Sequence, residues 1–181
     1  MGKNKKRVSN NKKVKKGTST EKPSLSKSNL LLDFSFCGLY HSVKHGEFTN
    51  YLTGESEFIE QFKGIRRLNF EISEKVTFIQ ILNDSSYHCH KFGKDENNLV
   101  LQLIKDSYIK SGGSNNNYID QLTGNETMYQ LGKNGSLRLV GFYDEGRAIF
   151  KVCLIDYWHK IYPDDKFNIH ANRDLKYCPM C

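Results

Sequence analysis

Several features are missing from this sequence of 181 residues, and their absence excludes whole classes of protein. No apolar run approaches the ~20 residues that a membrane-spanning helix requires, so we expect no contact with a membrane. No apolar segment follows the basic residues at the start, which argues against a secretory signal. Because 38% of the residues are hydrophobic and 12% aromatic, collagen-like, coiled-coil and wholly disordered chains are excluded as well. We therefore expect a cytoplasmic protein with a folded core.

Acidic and aromatic residues are nearly absent from residues 1–28. This segment has ten lysine and arginine residues, one acid and a net charge of +9, whereas residues 29–181 sum to −2. So few apolar side chains cannot offset the entropy of ordering, and we predict a disordered basic tail. Mobile cations attract phosphate, which predicts nucleic-acid binding; an alternative is a solubilising segment without a specific partner. The candidate nucleic-acid contacts are Lys5, Lys6, Arg7, Lys12, Lys13, Lys15 and Lys16.

The chain has an odd number of cysteines, five in all. Without an export signal, this number points to a reducing compartment and to free thiols. Cys153 lies within an apolar run and is predicted to be a buried core residue.

The first two thirds of the folded part show one strand followed by helical patterns. Residues 30–36 alternate between apolar and polar, which is typical of a half-buried strand. Residues 55–69 carry apolar side chains at helical spacing, and Ser73 and Glu74 could begin a second helix. A third helical stripe opens after Asp95 and ends at Gly112, and residues 111–117 have the composition of a loop.

The last third predicts an antiparallel meander. Residues 128–131, 136–143 and 148–155 read as strands, and residues 144–147 form the turn between the last two. Both long strands are apolar on both faces, which predicts that they lie at the centre of the sheet. The expected fold is an α+β domain over residues 29–163, with one N-terminal strand, two to three helices and this meander. Residues 164–181 would form a C-terminal extension that ends in a CxxC motif.

Two places in the meander could carry chemistry. Arg138 interrupts an apolar strand, where an unpaired charge is costly, so it either pairs with an acid or points into a site. Residues 156–163 then combine aromatic side chains with His159, Lys160 and Tyr162 where the chain leaves the sheet. His159 could transfer a proton near neutral pH, and Tyr162 could stack on a base. The alternative is a turn whose aromatic side chains cap the core.

The strand of residues 137–143, the tight hairpin, the strand of residues 150–155 and the exit His159-Lys160-Ile161-Tyr162-Pro163 resemble the end of a RelE/YoeB-type toxin. The order of one strand, helices and an antiparallel meander is also similar to that family. The resemblance implies a small α+β ribonuclease that cleaves messenger RNA on the ribosome. It also implies an antitoxin as a protein partner.

The resemblance also implies roles for individual residues. Arg138 would hold phosphate, and His159 and Tyr162 would lie near the cleaved bond, with Lys160 as a lesser candidate. Cleavage by the 2′-hydroxyl needs a base, an acid and stabilisation of the charged phosphate, and it requires no cofactor. We expect Arg138, His159 and Tyr162 to converge on one face of the sheet, because the start of one hairpin strand lies opposite the end of its partner.

A second cluster of residues suggests a zinc site. His88 and His90 are spaced as same-face residues of a strand, and Cys178 and Cys181 form the CxxC motif. Zinc takes sulfur and nitrogen ligands, so Cys178 and Cys181 together with a pair from His88, Cys89 and His90 could bind one ion and anchor the C-terminus. The alternative is a pair of reduced, unpaired thiols at a frayed end. A redox CxxC lacks the βαβ context that is typical of such motifs.

Three functions therefore compete. The first is a RelE-like endoribonuclease. The second is a non-catalytic protein of the same fold, from a mobile element, that binds nucleic acid or a protein partner through its basic tail. The third is a metal-stabilised structural or interaction protein.

Overall fold

The structure, a computed structural model, describes residues 28–115, 117–124, 126–133, 135–163 and 174–181. The predicted disordered tail, except Ser28, lies outside the described residues together with all seven candidate nucleic-acid contacts. The first ten residues of the predicted C-terminal extension, 164–173, lie outside them as well.

A mixed five-stranded sheet forms the centre of the domain. Its strands are β1 (Leu31–Asp33), β4 (His90–Lys91), β5 (Met128–Leu131), β6 (Arg138–Asp144) and β7 (Ile149–Asp156). They lie side by side in the order β1-β7-β6-β5-β4. Strands β5, β6 and β7 form the predicted antiparallel meander, and the β6–β7 hairpin lies inside the sheet as expected. The predicted α+β class is confirmed, and the sheet also gains β1, parallel to β7, and β4 at the opposite edge.

The β6–β7 hairpin contains a bulge that changes its register. Gly141 pairs with Val152, but Val140 pairs with Leu154, so that Cys153 is the additional residue. A side chain at Gly141 would collide with the carbonyl of Lys151, which explains the glycine at this point of the strand. Cys153 is 1% exposed, as predicted for a core residue.

In the described part of the chain, four helices accompany the sheet, more than the two or three expected. They are α1 (Glu55–Lys75), α2 (Phe78–Asn83), α3 (Lys94–Lys110) and α4 (Tyr118–Thr123). A 3₁₀ turn spans Ser85–Tyr87. Helix α4 was not predicted: it follows directly on the predicted loop of residues 111–117.

Two predicted helix starts were wrong. Helix α1 continues through Ser73, and the next helix begins only after Thr77. The reason is a capping box, in which the hydroxyl of Thr77 accepts the backbone N–H of Gln80 and the Gln80 side chain accepts the backbone N–H of Thr77. Asp95 does not cap α3 but lies in its first turn, where its charge favours the positive end of the helix.

Helix α2 is held on one face of the sheet by aromatic packing. Phe78 stacks on Tyr143 with ring centroids 4.1 Å apart and meets Tyr129 edge-on at 5.2 Å. The ring centroid of Phe150 lies 6.2 Å from that of Phe78. Residues alternate between the faces of a strand, so Arg138 and Asp156 belong to the opposite face.

A small antiparallel pair, β2 (Lys44–His45) and β3 (Phe48–Thr49), precedes α1. The C-terminal residues pack beside it, because Leu52 and Tyr177 exchange backbone hydrogen bonds of 2.9 and 2.8 Å. Trp158 also donates from its indole N–H to the carbonyl of Tyr51. No helix among the described residues is long and apolar enough to span a membrane.

Candidate functional site

Arg138 lies at the start of β6 and is only 5% exposed. Its Nη1 donates hydrogen bonds of 2.8 and 2.9 Å to the carbonyls of Gly135 and Leu137. Its cross-strand partner is Asp156, which is fully buried. The expectation of an acid partner is met only in register: Arg138 is opposite a buried carboxylate, but among the described residues no direct ion pair joins the two groups.

Asp156 fixes the turn that follows β7. Its carboxylate accepts the backbone N–H groups of Trp158 at 3.1 Å and Ile161 at 2.9 Å, and a further N–H from Lys160. Burial raises the pKa of Asp156, although these donors and Arg138 act in the opposite direction. Burial likewise lowers the pKa of Arg138, and Asp156 opposes that shift. Asp156 therefore holds the chain exit in place through these hydrogen bonds.

His90 and His88 lie at the outer edge of the sheet beside Arg138. His90 pairs with Gln130, and Gln130 pairs with Val140, so His90 shares its sheet face with Arg138. Both imidazoles are exposed. Desolvation and the positive charge of Arg138 lower the pKa of His88 and of His90, and in His90 the neighbouring His88 adds to the shift. Both imidazoles are therefore biased towards the neutral form.

Tyr162 packs against this edge. Its ring centroid lies 5.1 Å from that of His90 and 5.6 Å from that of Phe92, on which it stacks. Its hydroxyl accepts the backbone N–H of Gly93 at 3.4 Å. Two residues predicted from the chain exit and from β6, Tyr162 and Arg138, thus both act on His90.

We call His88, His90, Arg138, Asp156 and Tyr162 the histidine edge. A neutral imidazole can accept a proton, and a protonated imidazole with a lowered pKa is a stronger acid than an ordinary histidine. The buried guanidinium of Arg138 adds a positive charge on the sheet face that His90 shares, and the ring of Tyr162 offers a surface for stacking. These are the groups that phosphodiester cleavage requires.

Two further predicted residues lie in the turn after β7. His159 has a φ of 57° and is half-buried, and Lys160 is half-buried and contributes its backbone N–H to Asp156. Their predicted approach to a phosphate near Arg138 stays a prediction.

From the sequence, His88 and His90 were predicted to be zinc ligands. No individual role was predicted for Gln130 or Asp156. Gln130 is 1% exposed, between His90 and Val140 in the cross-strand row. The alternating spacing predicted that the two histidines share one strand face, and this was wrong for His88. It precedes β4 in a left-handed conformation at the end of the 3₁₀ turn, and only His90 lies on the strand. The sequence could not predict that His90 shares a sheet face with Arg138, because β4 has only two residues and its pairing with β5 depends on tertiary structure.

The cysteines depart from the expectation of free thiols. Cys178 and Cys181 form a disulfide, whereas Cys37, Cys89 and Cys153 are free. The CxxC turn brings the two α-carbons to 5.4 Å, which is within the usual range for a disulfide. Burial raises the pKa of Cys89 and of Cys153 to about 12, so both stay protonated thiols.

The predicted zinc ligands are not assembled. In the part of the chain that the structure describes, no three His, Cys, Asp or Glu side chains come together as a metal-ion site. His88 and His90 belong to the histidine edge, whereas Cys178 accepts the backbone N–H of Ser42 through its sulfur at 3.1 Å. Zinc binding by the reduced cysteines stays a prediction.

Comparison with known proteins gives a family and nothing more. Neither the curated proteins nor the solved structures contain a match to this chain. One family model, described as "Uncharacterised protein UU032", matches residues 35–181, which include every strand and helix of the fold except β1. The chain therefore belongs to the UU032 family.

Proposed function

We propose that this chain is an RNA-cleaving protein whose reaction takes place at the histidine edge. One observation carries the proposal: the strand register places His90 on the same sheet face as Arg138, and Tyr162 packs against His90. The substrate class follows from the resemblance to RelE/YoeB-type toxins, with messenger RNA on the ribosome as substrate and an antitoxin as partner.

The chemistry assigns a role to each group. A neutral imidazole, His88 or His90, removes the proton from the 2′-hydroxyl, and the other histidine, when protonated, donates to the leaving 5′-oxygen. The charge of Arg138 opposes the negative charge that develops on the phosphate, and Tyr162 stacks on a neighbouring base. Asp156 positions the chain exit that carries Tyr162.

RNA affinity would come from the N-terminal segment. The folded part of the chain is slightly acidic, whereas residues 1–28 carry a charge of +9. Binding through such a segment depends strongly on salt, because each lysine that neutralises a phosphate releases counterions.

A second candidate function is supported by the surroundings of Arg138. Its guanidinium is buried, bonded to two backbone carbonyls and opposite a carboxylate, so it is poorly placed to grip a phosphate directly. In this alternative the domain is a non-catalytic binding protein, and the basic segment alone holds nucleic acid or a protein partner.

The experiment compares cleavage and binding of a fluorescent single-stranded RNA by the full chain. His90→Gln should lower the cleavage rate by about 10²-fold or more, as the loss of an acid–base group does. His45→Gln is the matched control, since His45 is also an exposed histidine on a short strand but lies on β2. Equal rates for these two variants would refute the histidine edge as the reaction site.

Binding separates the two candidate functions. If the wild type binds RNA without cleaving it, and a chain lacking residues 1–28 does not bind, the second candidate is supported. Expression in growing cells then tests the biological substrate. Loss of messenger RNA integrity with the wild type but not with His90→Gln would support cleavage of messenger RNA.

A further inference from the structure

Helix α1 carries large apolar side chains on its outer side. Ile59, Phe62 and Phe70 are 46%, 45% and 62% exposed. They make up half of the six exposed large hydrophobic side chains in the described part of the chain. Isolated exposed apolar residues are normal, but three on one helix indicate an interaction surface.

These side chains follow one line along the helix. Residues 55, 59, 62 and 66 are spaced four, three and four apart, which places them on a single stripe. The side chains in order are Glu55, Ile59, Phe62 and Arg66, and we call them the α1 stripe. Phe70 continues the stripe by one further turn. The stripe therefore begins with an acid, is apolar in the middle and continues with a base.

The two charges of the α1 stripe are available to a partner. Lys63, on the same helix, is 2.6 Å from Glu60 and thus already paired. Among the described residues, by contrast, neither Glu55 nor Arg66 forms an ion pair, and both are exposed. Phe62 is supported from within by Phe58, whose ring centroid lies 6.0 Å away.

We propose that the α1 stripe is a homodimer interface in which two copies of α1 pack antiparallel about a two-fold axis. The axis passes midway between Ile59 and Phe62. This register places Glu55 of each copy opposite Arg66 of the other, and Ile59 of each opposite Phe62 of the other. Two ion pairs then flank a central group of four apolar side chains.

The occupant is a second copy because the stripe is complementary to itself. A two-fold interface requires that the same patch satisfies both subunits, and the order acid, apolar, apolar, base does so only when reversed. Nucleic acid would instead require a surplus of cations along the stripe. The apolar area is small, so the dimer is expected to be a weak one that dissociates on dilution.

Sedimentation of the full chain without RNA tests the proposal, over protein concentrations from about 1 µM to about 1 mM. The wild type should change from monomer to dimer within this range, and Phe62→Glu should remain monomeric. Ile109→Glu is the matched control, since Ile109 is 59% exposed on α3 and lies off the stripe. It should associate like the wild type.

A charge exchange tests the register and does not depend on removing an apolar side chain. Glu55→Lys and Arg66→Glu should each be monomeric alone, because each places like charges opposite one another in a homodimer. An equimolar mixture of the two should dimerise again, since both contacts in the mixed pair join opposite charges. A wild type that is monomeric throughout, or a mixture that stays monomeric, would overturn the proposal.

Discussion

The buried pair of Arg138 and Asp156 predicts that Arg138→Ala destabilises the fold, whatever its effect on RNA. The substitution leaves a fully buried carboxylate without its opposite charge and two carbonyls without their donor. Removing one member of a buried ion pair costs about 3–5 kcal/mol, and this is the upper limit here, because no direct ion pair joins Arg138 to Asp156 among the described residues. Domains of this kind have about 5–15 kcal/mol of stability in total, so the variant folds but has lost a large part of its margin.

The assay is unfolding in urea followed by the fluorescence of Trp158, the chain's single tryptophan. Trp158 is 2% exposed and donates its backbone N–H to Asp156, so it reports directly on this region. When unfolding is driven by heat instead of urea, Tm falls by about 2–4 °C per kcal/mol for a domain of this size. A loss of about 4 kcal/mol therefore lowers Tm by roughly 8–16 °C.

A double variant separates charge from packing. Arg138→Met with Asp156→Asn removes both charges and should recover about 2 kcal/mol or more relative to Arg138→Ala.

The pH dependence of stability gives a second test of the Arg138→Ala variant. The folded-state pKa of Asp156 is raised, so its protonated form is favoured by folding, and the deficit of Arg138→Ala should shrink as the pH falls towards 4. A deficit below 1 kcal/mol at pH 7, unchanged by pH, would refute the reasoning.

Three further predictions concern the sheet and its edge. Gly141→Ala should cost about 1–3 kcal/mol or more, measured by the same unfolding assay, because its methyl group would meet the carbonyl of Lys151. Phe78→Ala should cost about 3–5 kcal/mol through the cavity that it leaves between α2 and the sheet, and a change below 1 kcal/mol would contradict the packing described. In an NMR titration, His90 should have a pKa below 6.5, and the Arg138→Met double variant should raise it without reaching 6.5, because desolvation is the larger cause. Since this folded-state pKa is lowered, the stability that neutral His90 contributes is present above pH 6.5 and is lost as the pH falls through the lowered value.

The central hairpin could be predicted because its signals are local. Residues 128–131 form a strand with the expected bounds, and the apolar pattern of the two long strands placed them inside the sheet. The bulge could not be predicted. A regular hairpin continued from the pair of Asp144 and Ile149 would place Arg138 opposite Ile155, and only the additional residue at Cys153 brings it opposite Asp156. One residue thus decided whether the arginine met a carboxylate.

Other predictions from the sequence failed because the features depend on individual side-chain hydrogen bonds or on contacts between residues that are distant in the sequence. The helix boundary at Thr77 depends on a two-sided side-chain cap, which competed with an apparently good start at Ser73. The strands β2, β3 and β4 have two residues each, too few for a period to show in the sequence. The disulfide depends on the geometry of the CxxC turn, whereas the expectation of free thiols rested on the odd number of cysteines.

The parallel pairing of β1 with β7 links the order of synthesis to the order of folding. Leu31 pairs with Ile149, about 120 residues later in the chain, so the first strand has no sheet to join until the last strand has been made. At about 5–20 residues per second, this delay is roughly 6–24 s. During that time β1 cannot fold, and a chain that ends before Ile149 leaves it permanently without its neighbour. Completion of this domain is therefore a late, post-synthetic event, and a stalled or truncated message yields a product whose N-terminal strand remains open to other chains.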